Sequence, residues 1–267
     1  MPQFPFGAFL ASLPWVAAAL AVLLALTFAV AVRQGRHSVM DTVWGPGFVV
    51  VAALSWLLSA GHGDGGRRLL LLVLVGVWGL RLAAHIGVRA RGGHEDPRYV
   101  DLLSAAPGSR NVYALRRVYL PQGVVLFFVS LTVQVGMFST GTLGWLALAG
   151  VLLWILGFVF ETVGDWQLAR FKADPARRGT VLDTGLWRYT RHPNYFGDAA
   201  VWWGLTLLAQ HHAAGLIGLV SAALMTWLLA KGTGAALLES SIGRRRPGYA
   251  DYVKRTSGFI PLPPRKA

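Results

Sequence analysis

The long apolar runs of this chain constrain its fold more than any other feature. A helix needs about 20 mostly apolar residues to cross the hydrocarbon core of a bilayer, and several runs reach that length. We predict seven spans, and they lie at about 8–32, 40–60, 69–88, 119–138, 143–166, 197–210 and 212–231. The sixth is short and is followed by a tight turn, so the last two spans are expected to form a hairpin. The chain is therefore predicted to be an all-α, polytopic integral membrane protein with seven transmembrane helices.

The composition agrees with a membrane protein and argues against several other classes of protein. Of the 267 residues, 54% are hydrophobic and only 14% are charged, whereas soluble domains usually have about 25% charged residues. The chain has no cysteine, which excludes disulfides and thiolate chemistry. The net charge of +13 is typical of nucleic-acid binding as well, but here the basic residues cluster in particular loops. We expect no nucleic-acid partner, and no metal site, since no His-x-x-x-His spacing occurs on a span.

The lysine and arginine residues predict the orientation. Of these 25 residues, 22 fall after spans one, three, five and seven; Arg67 and Arg68 lie on the other side, and Arg81 lies inside span three. Positively charged loops stay in the cytoplasm, so the N-terminus is predicted outside and the C-terminus inside, in a bacterial inner membrane. The first span could be mistaken for a signal peptide. It lacks a basic leading region and a cleavage site, so it is expected to remain a helix.

Three segments on the predicted cytoplasmic side mix acids, amides and aromatic residues with the basic ones. They lie at 89–101, 161–172 and 187–198. Topology alone explains the number of positive charges but not their polar neighbours, and ionisable groups near lipid are usually functional. We therefore expect one membrane domain over residues 1–267, in which the loops 89–118 and 167–196 and the tail 232–267 form a cap for a cofactor.

Two acids on the fifth span indicate what the cap binds. Glu161 and Asp165 are four residues apart and so share one helix face. Arg81 or Arg170 could neutralise them, or the hydroxyl groups of a ribose could donate to them. Because the arginine side chain fits the oxygen pairs of a phosphate, a site with both arginines and carboxylates favours a nucleotide.

Several motifs together resemble a known family. They are Glu95-Asp-Pro-Arg-Tyr99, Leu120-Pro-Gln122, Glu161-x-x-x-Asp165, the run 185–198, and Tyr249-x-x-Tyr252 followed by Gly258-Phe-Ile-Pro261. From about residue 41 to 261, the chain resembles the bacterial membrane branch of unknown function in the steroid 5-alpha-reductase superfamily. The resemblance implies seven helices, NADPH at the cytoplasmic end, and reduction of a carbon–carbon double bond conjugated to a carbonyl. The implied substrate is a lipophilic, steroid- or isoprenoid-like molecule that enters from the membrane lipid.

The resemblance also implies which residues contact the cofactor. Glu161 and Asp165 match a nucleotide-binding pair of the family on helix five. Asn194 and Asp198 match a pair at the start of helix six, and Arg98 matches a phosphate-binding arginine. The full set of implied cofactor-binding residues is Arg89, Arg91, Glu95, Asp96, Arg98, Tyr99, Glu161, Asp165, Lys172, Arg191, His192, Asn194, Tyr195, Asp198, Glu239 and Tyr252.

Asp41 is the best match for the catalytic glutamate that the family has on helix two. An alternative reading is that Ser38 or Asp41 caps the N-terminus of this helix. The family glutamate pairs with a tyrosine on helix three, but residues 77–81 contain no tyrosine. An indole such as that of Trp78 donates a hydrogen bond but cannot give up a proton as a phenol does. Asp41 and Arg81 are therefore the expected catalytic residues. Asp41 protonates the substrate by itself or with Arg81, or the chemistry differs.

A second resemblance supplies the alternative function. Residues 191–195, Arg-His-Pro-Asn-Tyr, also resemble a motif of integral-membrane methyltransferases that use S-adenosylmethionine on isoprenylcysteine or phospholipids. Those enzymes have paired glutamates near the last helix, whereas this chain has Glu239-Ser240. The motif at 95–99 and Asp198 favour the reductase. Methylation of a lipid or prenylated substrate, with S-adenosylmethionine as cofactor, is therefore the alternative.

Overall fold

The structure is a computed structural model that describes residues 3–232, 234–235, 239 and 246–265. Over these residues the prediction of an all-α fold is confirmed, because the regular elements are helices and the one β-bridge, Thr190–Ser257, is isolated. The α-helices are α1 (Phe6–Gln34), α2 (Val39–Leu58), α3 (Gly65–Arg89), α4 (Pro97–Ser104), α5 (Arg110–Ala114), α6 (Leu120–Val129), α7 (Leu131–Phe138), α8 (Trp145–Ala173), α9 (Pro193–Ala209), α10 (Ile217–Ala230) and α11 (Tyr249–Arg255).

Six helical segments of the described chain are long and apolar enough to cross a membrane. They are Phe6–Gln34, Val39–Leu58, Gly65–Gly92, Arg110–Phe138, Trp145–Ala173 and Ala213–Ala230. The predicted count of seven is not confirmed, because the predicted sixth span lies in α9, which has 17 residues. At a rise of 1.5 Å per residue, such a helix is about 25 Å long, slightly less than the hydrocarbon core of a bilayer.

The helices extend further than the apolar runs alone predict. α8 continues past residue 166 to Ala173, and it stops where Asp174 precedes Pro175, a position that disfavours helical backbone. The predicted loop 89–118 contains α4 and α5, and a π-helical turn at Leu115–Tyr119 joins α5 to α6. The predicted tail 232–267 is described in part: residues 233, 236–238, 240–245 and 266–267 lie outside the described residues.

The chain divides into two compact units. Unit 1 comprises Met1–Leu143 and Ala209–Gly218, and unit 2 comprises Gly144–Leu208 and Leu219–Ala267. In unit 1, α2 and α3 approach so closely that a Cβ added to Gly79 would lie 2.7 Å from the carbonyl oxygen of Gly45. The neighbouring rings of Phe48 and Trp78 are buried, with centroids 5.6 Å apart. This close contact packs α2 directly against α3.

Unit 2 is built on a second close helix pair. Gly150 and Gly157 of α8 face Gly204 and Gly197 of α9, and each pair of glycines is seven residues apart. A Cβ on Gly150 would lie 2.6 Å from the Gly204 carbonyl oxygen, and one on Gly157 would lie 2.5 Å from that of Gly197. With no side chains between them, the two backbones touch. This contact determines where the acids of α8 and the polar start of α9 lie.

Candidate functional site

In unit 1, the carboxylate of Asp41 is held by two side chains from α4. The Tyr99 hydroxyl donates a hydrogen bond of 2.6 Å to Oδ1, and Arg98 Nη2 donates one of 3.0 Å to Oδ2. These contacts contradict the reading of Asp41 as the cap of α2. Ser38 occupies the N-cap position but makes no side-chain capping bond, so the alternative reading in which its side chain caps α2 is contradicted as well.

The sequence around Arg98 explains how the two side chains reach Asp41. Asp96 caps α4 by accepting a 2.9 Å bond from the Arg98 backbone N–H, and Pro97 occupies the first helical position, where its fixed φ fits. Asp96 also accepts from the Arg98 guanidinium at 3.0 and 2.9 Å. Arg98, which was predicted to bind phosphate, is thus shared between two carboxylates.

Two further residues belong to this cluster, and the sequence did not predict their role. Gln122 Nε2 on α6 donates to the Tyr99 hydroxyl at 3.5 Å, and the Trp44 indole donates to Gln122 Oε1 at 2.6 Å. A chain of hydrogen bonds therefore runs from Trp44 through Gln122 and Tyr99 to Asp41. The Leu-Pro-Gln motif at 120–122 was the available signal for Gln122.

The environment of this cluster keeps Tyr99 protonated. Burial raises the pKa of the Tyr99 phenol well above its ordinary value, and the neighbouring Asp41 charge raises it further. In contrast, the hydrogen bonds from Arg98 outweigh burial and lower the pKa of Asp96 below its ordinary value. At neutral pH, unit 1 therefore presents a neutral phenol beside charged groups.

Glu95 lies next to this cluster but contacts the start of α2. Its carboxylate accepts from the backbone N–H groups of His37, at 2.7 Å, and Ser38, at 2.8 Å, and it pairs with Arg110 at 3.0 Å. Burial by itself raises the pKa of Glu95, but these bonds and the Arg110 charge bring it below its ordinary value. Both oxygens of this predicted cofactor ligand are thus engaged within the protein.

In unit 2, the acids predicted on one face of the fifth span are both buried. Glu161 and Asp165 are 3% and 7% exposed, and Asp198 on α9 is 9% exposed. Asn194 Nδ2 donates a hydrogen bond of 3.0 Å to Asp165 Oδ1. The structure thus brings together Asp165 and Asn194, two of the predicted nucleotide contacts, at the glycine-packed crossing of α8 and α9.

Arg191 and His192 converge on Glu239. Arg191 donates from Nε to Oε1 at 2.8 Å and from Nη2 to Oε2 at 3.1 Å, and His192 Nε2 lies 2.8 Å from Oε1. Burial opposes the charged form, but these partners prevail and lower the pKa of Glu239 to about 2. Arg191 Nη1 also donates to the Thr256 carbonyl oxygen at 2.8 Å. Arg191 therefore fastens the C-terminal segment, a role that the sequence did not predict.

The other predicted residues of unit 2 surround this core. Tyr195 stacks on His192, with ring centroids 5.4 Å apart, and Tyr252 donates to the Trp187 carbonyl oxygen at 2.6 Å. The Trp187 indole in turn donates to the Gly164 carbonyl oxygen of α8 at 3.1 Å. The run 185–198 is thus pinned to α8 on one side and to the C-terminal segment on the other.

The remaining predicted residues lie at or near the surface. Arg89, Arg91 and Lys172 are exposed, and Arg81 is half-buried on α3. Unit 2 has a cavity of about 300 Å³, which is lined by Trp166, Gln167, Arg170, Phe171, Asp174, Arg177, Leu182, Thr184 and Gly185. Within the described part of the chain, no group of three or more histidine or acidic residues is arranged to hold a metal ion.

Comparison with known proteins finds similarity over most of the chain. A family model described as "Protein of unknown function (DUF1295)" matches residues 27–256. The chain is also 24% identical, over 267 aligned residues, to an uncharacterized protein of Schizosaccharomyces pombe. That alignment covers 87% of this chain and 74% of the yeast protein. Both polar clusters described above fall largely within the matched region.

Proposed function

We propose that this chain, which belongs to the DUF1295 family, is an NADPH-dependent membrane reductase. It saturates a carbon–carbon double bond conjugated to a carbonyl in a lipophilic, steroid- or isoprenoid-like substrate. The observation that carries the proposal is the 2.6 Å hydrogen bond from Tyr99 to Asp41. This pair supplies the phenol and acid that the family resemblance implies, with the phenol on α4 instead of helix three.

In this proposal Tyr99 is the proton donor, in place of Asp41 with or without Arg81. Burial raises the pKa of the Tyr99 phenol well above its ordinary value, so the proton of this hydrogen bond resides on Tyr99. Asp41 and Gln122 hold the hydroxyl in place until a substrate carbonyl oxygen competes for its hydrogen. A preorganised donor at that oxygen stabilises the negative charge that develops there during reduction.

The residues of unit 2 fit the chemistry of a dinucleotide. NADPH, when bound, supplies the hydride for the reaction. The buried carboxylates Glu161 and Asp165 suit ribose hydroxyls, and the Asn194 amide suits a carboxamide. Around the cavity, the Arg170 guanidinium lies 5.0 Å from the ring centroid of Trp166, which provides both a cation and an aromatic face. We assign phosphate contacts to Arg170, which lines the cavity, and to the exposed Lys172 two residues further on.

The same proposal includes the membrane arrangement. α9 is the seventh crossing, and its length of 17 residues is accommodated by local thinning of the bilayer. The distribution of lysine and arginine supports an outside N-terminus and a cytoplasmic C-terminus in a bacterial inner membrane. The substrate enters from membrane lipid, and the large apolar side chains exposed on the described spans support this route.

Binding and turnover of detergent-purified protein test the function. A nucleotide that binds only the folded protein raises its melting temperature, so NADPH is expected to do so. In the presence of a lipophilic enone, NADPH consumption should match formation of the saturated product, measured by mass spectrometry. Stabilisation by S-adenosylmethionine alone, or NADPH binding without reduction of any of a panel of steroid and isoprenoid enones, would contradict the proposal.

One observation favours the methyltransferase alternative. Arg191 and His192, which belong to the Arg-His-Pro motif, both contact Glu239, the acid that the chain shares with the paired glutamates of those enzymes. Ser240, which stands where the second glutamate is expected, lies outside the described residues. Methyl transfer from S-adenosylmethionine to a prenylated or phospholipid acceptor, in the same preparation, distinguishes the two functions.

A further inference from the structure

We propose that Glu95 is a positioning residue, which sets Asp41 against Tyr99 by capping the first turn of α2, and that it does not contact the cofactor. This inference rests on the proposed reductase function. It changes the role implied for Glu95 by the family resemblance, and it assigns a mechanical task to the motif at 95–99.

The capping contact lies within one turn of Asp41. Glu95 Oε2 accepts from the His37 N–H at 2.7 Å, and Oε1 accepts from the Ser38 N–H at 2.8 Å. Ser38 is the N-cap residue of α2 and His37 precedes it, so their N–H groups have no partner inside the helix, and a negative charge there is favourable. The Asp41 N–H bonds to the Ser38 carbonyl oxygen at 3.0 Å, so the backbone that Glu95 holds leads directly to Asp41.

The same five-residue segment also holds the side chain of Asp41. Glu95 fixes the backbone at the start of α2, while Arg98 and Tyr99 bind the Asp41 carboxylate. Asp96 and Pro97 make the segment rigid between these two contacts, because they form the capped start of α4. The segment 95–99 therefore holds both the backbone that precedes Asp41 and the Asp41 carboxylate. A displacement of about 1 Å between reacting groups can cost on the order of 10²-fold in rate.

Contacts other than those of Glu95 also hold this turn. Arg110 pairs with Glu95 at 3.0 Å, but its own side chain is about half exposed. The His37 ring, which is buried, contacts Asn111 at 3.0 Å and the Tyr119 hydroxyl at 3.3 Å. These contacts keep the α1–α2 turn folded when Glu95 changes. Loss of Glu95 is therefore expected to shift Asp41 without unfolding unit 1.

The experiment compares Glu95→Gln with two matched variants. Asp101→Asn removes the same charge from an exposed position on α4, and Arg110→Gln removes the ion pair but leaves the cap. Turnover is measured per NADPH-binding site, together with the dissociation constant for NADPH, KM for the enone, and hydrogen exchange of residues 37–41. For Glu95→Gln, we expect kcat to fall by about tenfold to 10²-fold, with both binding constants unchanged and faster exchange at 37–41.

The matched variants set the scale for this effect. Asp101→Asn should stay within about twofold of the natural chain in every measurement, as a surface substitution does. Arg110→Gln should fall between the two, because it leaves both backbone bonds to Glu95 in place. For a variant whose melting temperature drops, turnover is compared only for the fraction of molecules that still binds NADPH.

Each other outcome overturns the inference in a distinguishable way. Weaker NADPH binding with unchanged kcat in Glu95→Gln makes Glu95 a cofactor ligand. Faster exchange at 37–41 with unchanged kcat makes the cap structural only. Equal losses in Glu95→Gln and Asp101→Asn indicate a general charge effect. If the natural chain itself reduces no enone with NADPH, the proposed function fails and the inference with it, whereas an active natural chain with a fully active Glu95→Gln variant overturns the inference alone.

Discussion

The polar clusters of the two units are built by different means. In unit 2, Asp165 and Asn194 meet because α8 and α9 touch backbone to backbone through glycines at seven-residue spacing. In unit 1, Asp41 and Tyr99 meet because a short segment between helices is held by side-chain hydrogen bonds. The cluster of unit 2 is positioned by glycines, which have no side chains, and the cluster of unit 1 is positioned by hydrogen bonds between side chains.

This difference predicts where each cluster is sensitive to substitution. A single added methyl group at the glycine contact of unit 2 has no space, because the nearest atoms are backbone. In unit 1, the loss of one hydroxyl or one charge leaves the helices in place and changes only the alignment of the reacting groups. The predictions below test this contrast, starting with the largest expected effect.

The largest effect is expected for Tyr99→Phe. The substitution removes the proposed proton donor and leaves the ring, so kcat should fall by about 10²-fold or more while NADPH affinity is retained. Asp41→Asn should lose less, because the amide oxygen still accepts from Tyr99 although the ion pair with Arg98 is gone. Tyr113→Phe, at another tyrosine of unit 1, is the control and should remain active. A fully active Tyr99→Phe variant would return the proton to Arg81 or to a water molecule.

Gly197→Ala should mainly affect folding. The added Cβ would collide with the Glu161 backbone N–H and lie 2.5 Å from the Gly157 carbonyl oxygen, so α8 and α9 must separate. Overpacking of this kind costs about 1–3 kcal/mol, measurable as a lower melting temperature. The control is Gly76→Ala on α3, where the added Cβ meets no atom within 4 Å and should be neutral or slightly stabilising. Equal effects at the two glycines would mean that the close helix contact is not needed.

Much of the fold could be predicted from the sequence because lipid imposes a simple pattern. The first predicted span, 8–32, corresponds to α1, and 40–60 corresponds to α2. The ends were less accurate: apolarity reports where lipid ends, whereas the helix continues to a residue that cannot be helical, as α8 does before Pro175. α4 was missed because it is short and polar, although Asp96-Pro97 is a helix-start signal that would place Tyr99 in its first turn.

The candidate site residues could likewise be predicted only in part. Glu161 and Asp165 were predicted to share a face because four residues make about one helical turn, and both are buried. The contact between Asp41 and Tyr99 joins positions 58 apart in the chain, and no periodicity reports such a contact. The same is true of Arg191 and Glu239, which are 48 apart. Pairing across loops depends on the packed structure, so the sequence could name these residues but not their partners.

Asn194→Ala tests whether the polar cluster of unit 2 binds the cofactor. It removes the amide that bonds to Asp165 and that we assign to the cofactor, so NADPH affinity should fall by about fivefold to tenfold. Turnover at saturating NADPH should change less than it does in Tyr99→Phe. The dissociation constant is measured by titration, and the control is Asn111→Ala in unit 1. Unchanged affinity in Asn194→Ala would remove Asn194 from the cofactor site.

The smallest effect concerns the pH dependence of Glu239. Its pKa is lowered to about 2 in the folded protein, because the partners Arg191 and His192 outweigh burial, and its ordinary value is 4.5. A lowered pKa contributes stability that is complete above the unfolded value and is lost as the pH falls toward the folded value. The difference in melting temperature between the natural chain and Glu239→Gln should therefore be present at pH 5 and shrink between about pH 4.5 and 2. The side chain is 25% exposed, so solvent screening limits the contribution to about 1 kcal/mol. The Asp251→Asn variant, which changes an exposed surface pair, should show no such trend, and a difference that persists unchanged to pH 2.5 would mean that the charge of Glu239 does not hold the C-terminal segment.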